Sequence, residues 1–174
     1  MKRGSILGYD LSEKNCQISY YDETKEEPVT LETAVENYQI PLILGYYNEH
    51  WVYGKEAKRL AEVQEENTIS DLYVRAVRRE KVEFAGKTRD AVWLLAKYIE
   101  LTLEGFPEIE YITFSVADTN IDMSKMLKGI GRHIGVPKER VSVQDYKESF
   151  CQYMFYQPKE LWQYESALFY CDAQ

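Results

Sequence analysis

Two hydrophobic periods alternate along the second half of this chain, and that alternation limits the folds open to it. Val92, Leu95, Ala96, Ile99 and Leu103 recur at three- and four-residue spacing, which predicts one buried helix face over residues 88–103. Gly105 and Pro107 stop that helix. Residues 109–116 follow as a run of apolar and β-branched side chains and read as a buried strand. Asp122 or Ser124 can cap a helix reaching about His133, and Gly135-Val136-Pro137 ends it. Residues 140–143 read as another strand, 145–155 as a helix and 165–171 as a final strand, with Pro158 opening a short extra segment. Strand–helix–strand units this short imply parallel strands with helices on the sheet faces.

The first half carries a different pattern. Residues 5–10 and 16–21 are short strand-forming runs joined by the polar stretch Leu11-Ser12-Glu13-Lys14-Asn15, which reads as a β-hairpin. Residues 29–31 supply a third strand. These antiparallel elements beside the later parallel ones predict an α/β fold with a mixed sheet. Residues 40–47 and 51–53 can pair across Asn48-Glu49-His50, with Gly54 closing the strand and a helix over 55–64. Asn67-Thr68 and Ser70-Asp71 offer N-caps for a segment reaching about Arg79, and 82–84 is a short strand before Gly86. The stretch from about 35 to 85 is expected to form a small subdomain inserted into the sheet domain, and no internal repeat or linker interrupts the chain.

Composition narrows the function. A chain of 174 residues with 45% hydrophobic and 29% charged residues can bury a core. Its net charge of −8 argues against a duplex-binding surface, so no nucleic-acid partner is expected. The basic cluster Arg75, Arg78, Arg79 and Lys81 is local, is interrupted by Glu80 and reads as a solvated helix face. Three cysteines, Cys16, Cys151 and Cys171, make no CxxC pair, which predicts neither a disulfide framework nor a zinc site and points to a reducing compartment. Cys16 and Cys151 are both expected to be packing residues. His50 and His133 lie far apart, outside any metal-spaced cluster, and are expected on the surface. No run approaches the roughly 20 apolar residues of a membrane helix, and the apolar run after Met1 is too short for a signal peptide. A cytoplasmic protein without a membrane partner is expected. Aromatic residues reach 14%, with 15 Tyr. The stretch Tyr146, Tyr153, Phe155, Tyr156, Trp162 and Tyr164 reads as a surface that buries against a second lobe or a partner protein.

Four segments, in order, resemble the ATPase fold shared by actin, the seventy-kilodalton heat-shock chaperones and the sugar kinases. Ile6-Leu7-Gly8-Tyr9-Asp10-Leu11-Ser12-Glu13-Lys14-Asn15-Cys16 is similar to the first phosphate loop of that superfamily. Ile40-Pro41-Leu42-Ile43-Leu44 and Trp51-Val52-Tyr53-Gly54-Lys55-Glu56-Ala57-Lys58 resemble the chaperones' strand pair followed by Gly-x-x-Ala-Lys, and Asn67-Thr68-Ile69-Ser70-Asp71 continues in step with Asn-Thr-Val-x-Asp. Tyr111-Ile112-Thr113-Phe114-Ser115-Val116, the capped helix, Gly135 and Val141-Ser142-Val143-Gln144-Asp145 resemble the strands and helix leading to the first connecting helix. Ala167-Leu168-Phe169-Tyr170-Cys171-Asp172 resembles the start of the second phosphate loop, Asp-Leu-Gly-Gly.

The resemblance implies a five-stranded ribonuclease-H-like sheet, its first three strands antiparallel and the rest parallel, flanked by helices. It implies that residues 1–174 form the N-terminal lobe of an actin-like ATPase domain, with the second lobe absent and the chain ending inside the second phosphate loop. It assigns Asp10 to a magnesium ion through water, the turn Ser12, Glu13 and Lys14 to phosphate contacts, Asp145 to orienting or activating the attacking water with Gln144 as an alternative, and Asp172 to the second phosphate loop. The departures are specific. Ser12, Glu13 and Lys14 replace a glycine and small hydroxyl residues, Asp145 replaces a glutamate, and Tyr73 stands where the chaperones carry a catalytic lysine. ATP and magnesium are therefore expected to bind only weakly to this lobe alone, without turnover. A degenerate, non-catalytic scaffold is the alternative, with the missing second lobe or other proteins as partners.

Overall fold

The computed structural model describes residues 4–106 and 108–156. Strand β1 (Ser5–Leu11) alternates strictly: Leu7, Tyr9 and Leu11 are buried, while Ile6, Gly8 and Asp10 face the other way. That two-residue period fixes the register, because a slip of one residue would turn Asp10 into the core. β2 (Asn15–Asp22) pairs antiparallel with β1, and β3 (Glu27–Thr30) pairs antiparallel with β2. β10 (Ile109–Val116) then lies parallel to β1, and β11 (Val141–Asp145) parallel to β10. The sheet order is β11-β10-β1-β2-β3, and the two-residue strand β4 (Ile40–Pro41) adds to β2 beside the hairpin turn.

Helix α3 (Ala91–Thr102) covers the Leu7–Tyr9–Leu11 face. Its Leu94, Leu95, Tyr98 and Ile99 share one buried cluster with Leu7, Tyr9, Ile18, Ile112 and Phe114. Each such side chain contributes about 1.5–3 kcal/mol relative to exposure. α4 (Ile121–His133) adds Met126, Leu127 and Ile130 to the same cluster. α5 (Tyr146–Phe155) buries no residue in that core and touches β10 and β11 from their other face through Ser149.

Between β4 and α3 the chain builds a satellite region. β5 (Leu44–Tyr47) pairs with β6 (His50–Tyr53) and β7 (Thr68–Ile69). Helix α1 (Gly54–Ala61) separates β6 from β7, and α2 (Leu72–Val77) leads to the hairpin of β8 (Lys81–Phe84) and β9 (Lys87–Asp90). Leu44, Ile69, Leu72 and Phe84 belong to the common core, so the region is packed onto the sheet domain.

Several boundaries differ from the sequence reading. The run 40–47 is two strands in two sheets: Leu42 N still donates to Lys14 O at 2.7 Å beside β2, Ile43 N then turns back to Pro41 O at 2.9 Å, and Leu44 starts the next ladder. β4 makes the main sheet six-stranded where five strands were expected. The helix predicted from Thr88 begins at Ala91. Ala85 (φ 49°) and Gly86 (φ 70°) form a tight left-handed turn that folds Lys87–Asp90 back onto β8. Asp90 then caps the helix, accepting from Val92 N at 2.8 Å and Trp93 N at 3.2 Å. α4 is capped by Asn120, which accepts from Met123 N at 2.8 Å, rather than by Asp122 or Ser124. Cys151 is exposed on α5 instead of packed. The expected strand over 165–171, Pro158, Trp162, Tyr164, Cys171 and Asp172 lie outside the described residues.

Candidate functional site

Parallel strands share one direction, so the carboxyl ends of β1, β10 and β11 meet at one edge of the sheet. β1 is also where the pairing changes from parallel to antiparallel. In open α/β sheets, crevices form outside the carboxyl strand ends where the strand order reverses, as it does at β1, with β2 and β3 on one side and β10 and β11 on the other.

At that edge the register lines up one polar row. Asp10 is level with Gln17 on β2 and with Ser115 on β10, and Ser115 is level with Gln144 on β11. In-register neighbours share a face, so Gln17, Asp10, Ser115 and Gln144 lie opposite the Leu7–Tyr9–Leu11 core. Two of the residues assigned by resemblance, Asp10 and Gln144, are thus brought onto one surface. Ser149 of α5 bridges two members of the row: its Oγ lies 2.9 Å from Ser115 Oγ and accepts from Gln144 Nε2 at 2.7 Å. Ser149 Oγ also donates to Asp145 O at 2.9 Å, which leaves Gln144 Oε1 as an acceptor with its amide orientation fixed.

Asp145 has a different setting. It is the N-cap of α5, and its Oδ1 accepts from Glu148 N at 2.8 Å. The sequence allowed either a capping or a water-orienting role, and the cap occupies one carboxylate oxygen.

The β1–β2 turn is held by its serine. Ser12 N donates to Asn15 O at 2.9 Å, Ser12 Oγ donates to the same oxygen at 2.9 Å, and Asn15 N donates back to Ser12 Oγ at 3.1 Å. A hydroxyl thus closes the loop where a glycine would have relied on backbone alone. Glu13 and Lys14 form its exposed tip. Their amides make no hydrogen bond among the described residues, which leaves two N–H groups for water or an anion. The turn is tied to the connecting helix by Tyr146 Oη, which donates to Leu11 O at 3.1 Å.

Tyr73 reaches the same neighbourhood from α2. It is buried, its hydroxyl donates to Met123 Sδ at 3.3 Å, and its pKa is pushed up to about 12 by burial first, then by the carboxylates of Glu13 and Asp118. A neutral phenol therefore stands beside the turn, together with two acids. Asp118, Ser115, Gln17 and Ser149 were not singled out in the sequence. Asp118 could have been found as the acid two residues beyond the end of a buried strand, whereas the other three needed the register.

The fit to a hydrated magnesium ion is of one kind only. Among the described residues no group of three or more His, Cys, Asp or Glu side chains is placed to hold a metal. Magnesium keeps several waters and needs only one or two carboxylates, so Asp10 suits an outer-sphere contact, and an all-protein cage does not fit. For phosphate, the tip amides and Lys14 are favourable, while Glu13 and Asp118 oppose added negative charge. Asp172 lies outside the described residues. Among the described residues no helix is long and apolar enough to cross a membrane.

Residues 25–174 match the family described as "Family of unknown function (DUF5716) C-terminal". No curated protein matches the chain.

Proposed function

The chain belongs to the DUF5716 C-terminal family, and we propose that it forms one lobe of an actin- or chaperone-like nucleotide-binding protein, with a ribonuclease-H-like sheet. In this reading the carboxyl edge of the sheet contributes magnesium and phosphate contacts to a cleft closed by a second lobe. The observation that carries it is the polar row Asp10–Ser115–Gln144, set at the point where β1 changes from antiparallel to parallel neighbours. The pairing supports the fold assignment: β1, β2 and β3 are antiparallel neighbours and β10 and β11 run parallel to β1, the directions that the resemblance implies.

The chain's own residues have distinct tasks. Asp10 accepts hydrogen bonds from waters around a metal ion. The amides of Glu13 and Lys14 and the Lys14 ammonium meet phosphate oxygens. Gln144, its amide held by Ser149, offers Oε1 to orient a water. Asp145 fixes the start of α5, and its second carboxylate oxygen can face the same water. Bound magnesium would neutralise phosphate charge, which matters here because Glu13 and Asp118 do not.

A second reading, that the fold serves as a protein scaffold without phosphate chemistry, is favoured by Tyr73. The buried phenol supplies no positive charge where the resemblance implies a lysine. Calorimetric titration of Mg-ATP into the full-length gene product, wild type and Asp10→Ala, separates the two. Saturable binding that the substitution abolishes supports the nucleotide site. Heatless titrations of a protein that melts cooperatively would rule it out and favour the scaffold.

A further inference from the structure

A groove runs along α4. It consists of two adjoining depressions of about 520 and 530 Å³ that share Arg79 and Met126. The first is apolar, formed by Val77, Ile121 and Met123, and Val77 and Ile121 are 40% and 74% exposed. The second holds the cations Lys125 and Arg132 and is also lined by His133 and Trp93.

The charges in this groove stand out against a chain of net charge −8. Among the described residues Arg79, Lys125 and Arg132 form no ion pair, whereas the neighbouring Arg75 and Arg78 both reach Glu80, at 3.5 and 3.8 Å. Two acids, Asp90 and Asp122, also line the depressions and offset part of this charge, but neither lies within 4.0 Å of a groove cation: Asp90 Oδ1 accepts from two amides as the cap of α3, and Asp122 lies in the first turn of α4. His133 Nε2 is 3.9 Å from Glu100 at the far end.

Arg79 joins the two depressions. It follows the C-cap of α2 with φ 58°, in the left-handed region that glycine or asparagine fills at little cost. Six other non-glycine residues share a positive φ among the described residues, so the conformation alone assigns no role, but Arg79 lines both depressions.

We propose that this groove docks an acidic peptide segment of a partner protein, with an aliphatic anchor over Val77, Ile121 and Met123 and carboxylates over Arg79, Lys125 and Arg132. The pattern fits a short extended or helical segment, since the apolar and cationic halves lie end to end along one helix. Three cations are too few for a duplex backbone, and the apolar half would remain uncovered by an inorganic anion.

The test uses a fluorescein-labelled peptide, Leu-Ser-Ile-Glu-Glu-Glu-Glu, followed by fluorescence anisotropy. The expected result is saturable binding that weakens as salt rises, and that is lost when the glutamates become lysines or the Leu and Ile become serines. Arg79→Gly and Arg132→Ala should each weaken binding by about tenfold, the size of one lost charge-assisted contact. Arg79→Gly is the informative variant because it relieves the backbone and should leave the melting temperature equal or higher. Undiminished binding by Arg79→Gly, no binding by the wild type at millimolar peptide, or tighter binding to phosphatidylserine vesicles or to an oligonucleotide than to the peptide would each overturn the proposal.

Discussion

Tyr146 Oη donates to the main-chain oxygen of Leu11 at 3.1 Å across 135 residues of sequence. The bond joins the first turn of α5 to the end of β1, one residue before the Ser12–Asn15 turn. Tyr146→Phe removes it while keeping the ring. A net loss of about 1 kcal/mol is expected from urea denaturation. Amide exchange at Ser12 and Asn15 should quicken more than at Ile112 or Phe114, because the turn loses a tether and the sheet centre does not. Uniform acceleration would show that the bond stabilises the whole fold and not the turn.

Alkaline pH should unfold this protein early. Tyr9 Oη lies 3.2 Å from Cys16 Sγ and 2.9 Å from Thr102 Oγ1, and Cys16 Sγ is 3.4 Å from Tyr98 Oη, all inside the core. Burial pushes the Cys16 thiol from 9.0 up to about 11 and holds both tyrosines well above 10.0. The folded chain therefore keeps protons that the unfolded chain releases. Stability contributed by these groups is complete below pH 9 and falls as pH rises through about 9–11 for Cys16, with the tyrosines following above 10. Each group adds a slope of up to about 1.4 kcal/mol per pH unit. Melting temperatures measured from pH 7 to 11 should be flat to about 9 and then drop, and Cys16→Ala should flatten the first part of that drop.

The same burial predicts a contrast in thiol chemistry. Cys16 is a buried thiol in a closed network and Cys151 is exposed on α5. With iodoacetamide at pH 8, peptide mass mapping should find Cys151 modified while Cys16 stays unmodified until denaturant is added. Equal labelling in the folded state would contradict the packing of Tyr9 and Tyr98 around it.

Helix α4 approaches β11 through Gly131. A Cβ built there would stand 2.5 Å from Val141 Cγ2. Gly131→Ala should cost about 1–3 kcal/mol despite alanine's better helix propensity, because the contact is overpacked. Val141→Ala alone leaves a cavity, and the double variant should be more stable than the sum of the two single losses, a coupling that a double-mutant cycle measures.

Much of this fold was legible where one period ran unbroken. Residues 109–116 were read as a strand with the bounds of β10, because eight residues without Gly or Pro leave few alternatives. Legibility failed where tertiary pairing overrode local pattern. Thr88 and Arg89 look like helix residues beside Val92 and Leu95, yet the left-handed Ala85–Gly86 turn draws them into β9. Ile43 and Leu44 look continuous with Ile40, yet the turn closed by Ile43 N and Pro41 O divides the run between sheets. For the site, Asp10 was marked by its place at a strand end. Ser115 and Gln17 carried no mark, because only register sets them level with Asp10.

That register also yields the sharpest test of which neighbouring residue serves the site. Asp145 caps α5 through Oδ1, while Gln144 lies in the row with Asp10 and is held by Ser149. Asp145→Ser preserves a cap and Asp145→Ala removes it, so the alanine variant should lose about 1 kcal/mol of stability and the serine variant only a fraction of that. If capping is its main task, both variants should retain whatever Mg-ATP affinity the full-length protein has. Gln144→Ala should instead leave stability within about 0.5 kcal/mol, since Ser149 Oγ keeps Ser115 and the Asp145 carbonyl as partners, and, where the proposed nucleotide site of the full-length protein hydrolyses ATP, should lower that turnover. The opposite pattern, with Asp145→Ser inactive and Gln144→Ala unaffected, would return the water-orienting role to the carboxylate that the sequence first suggested.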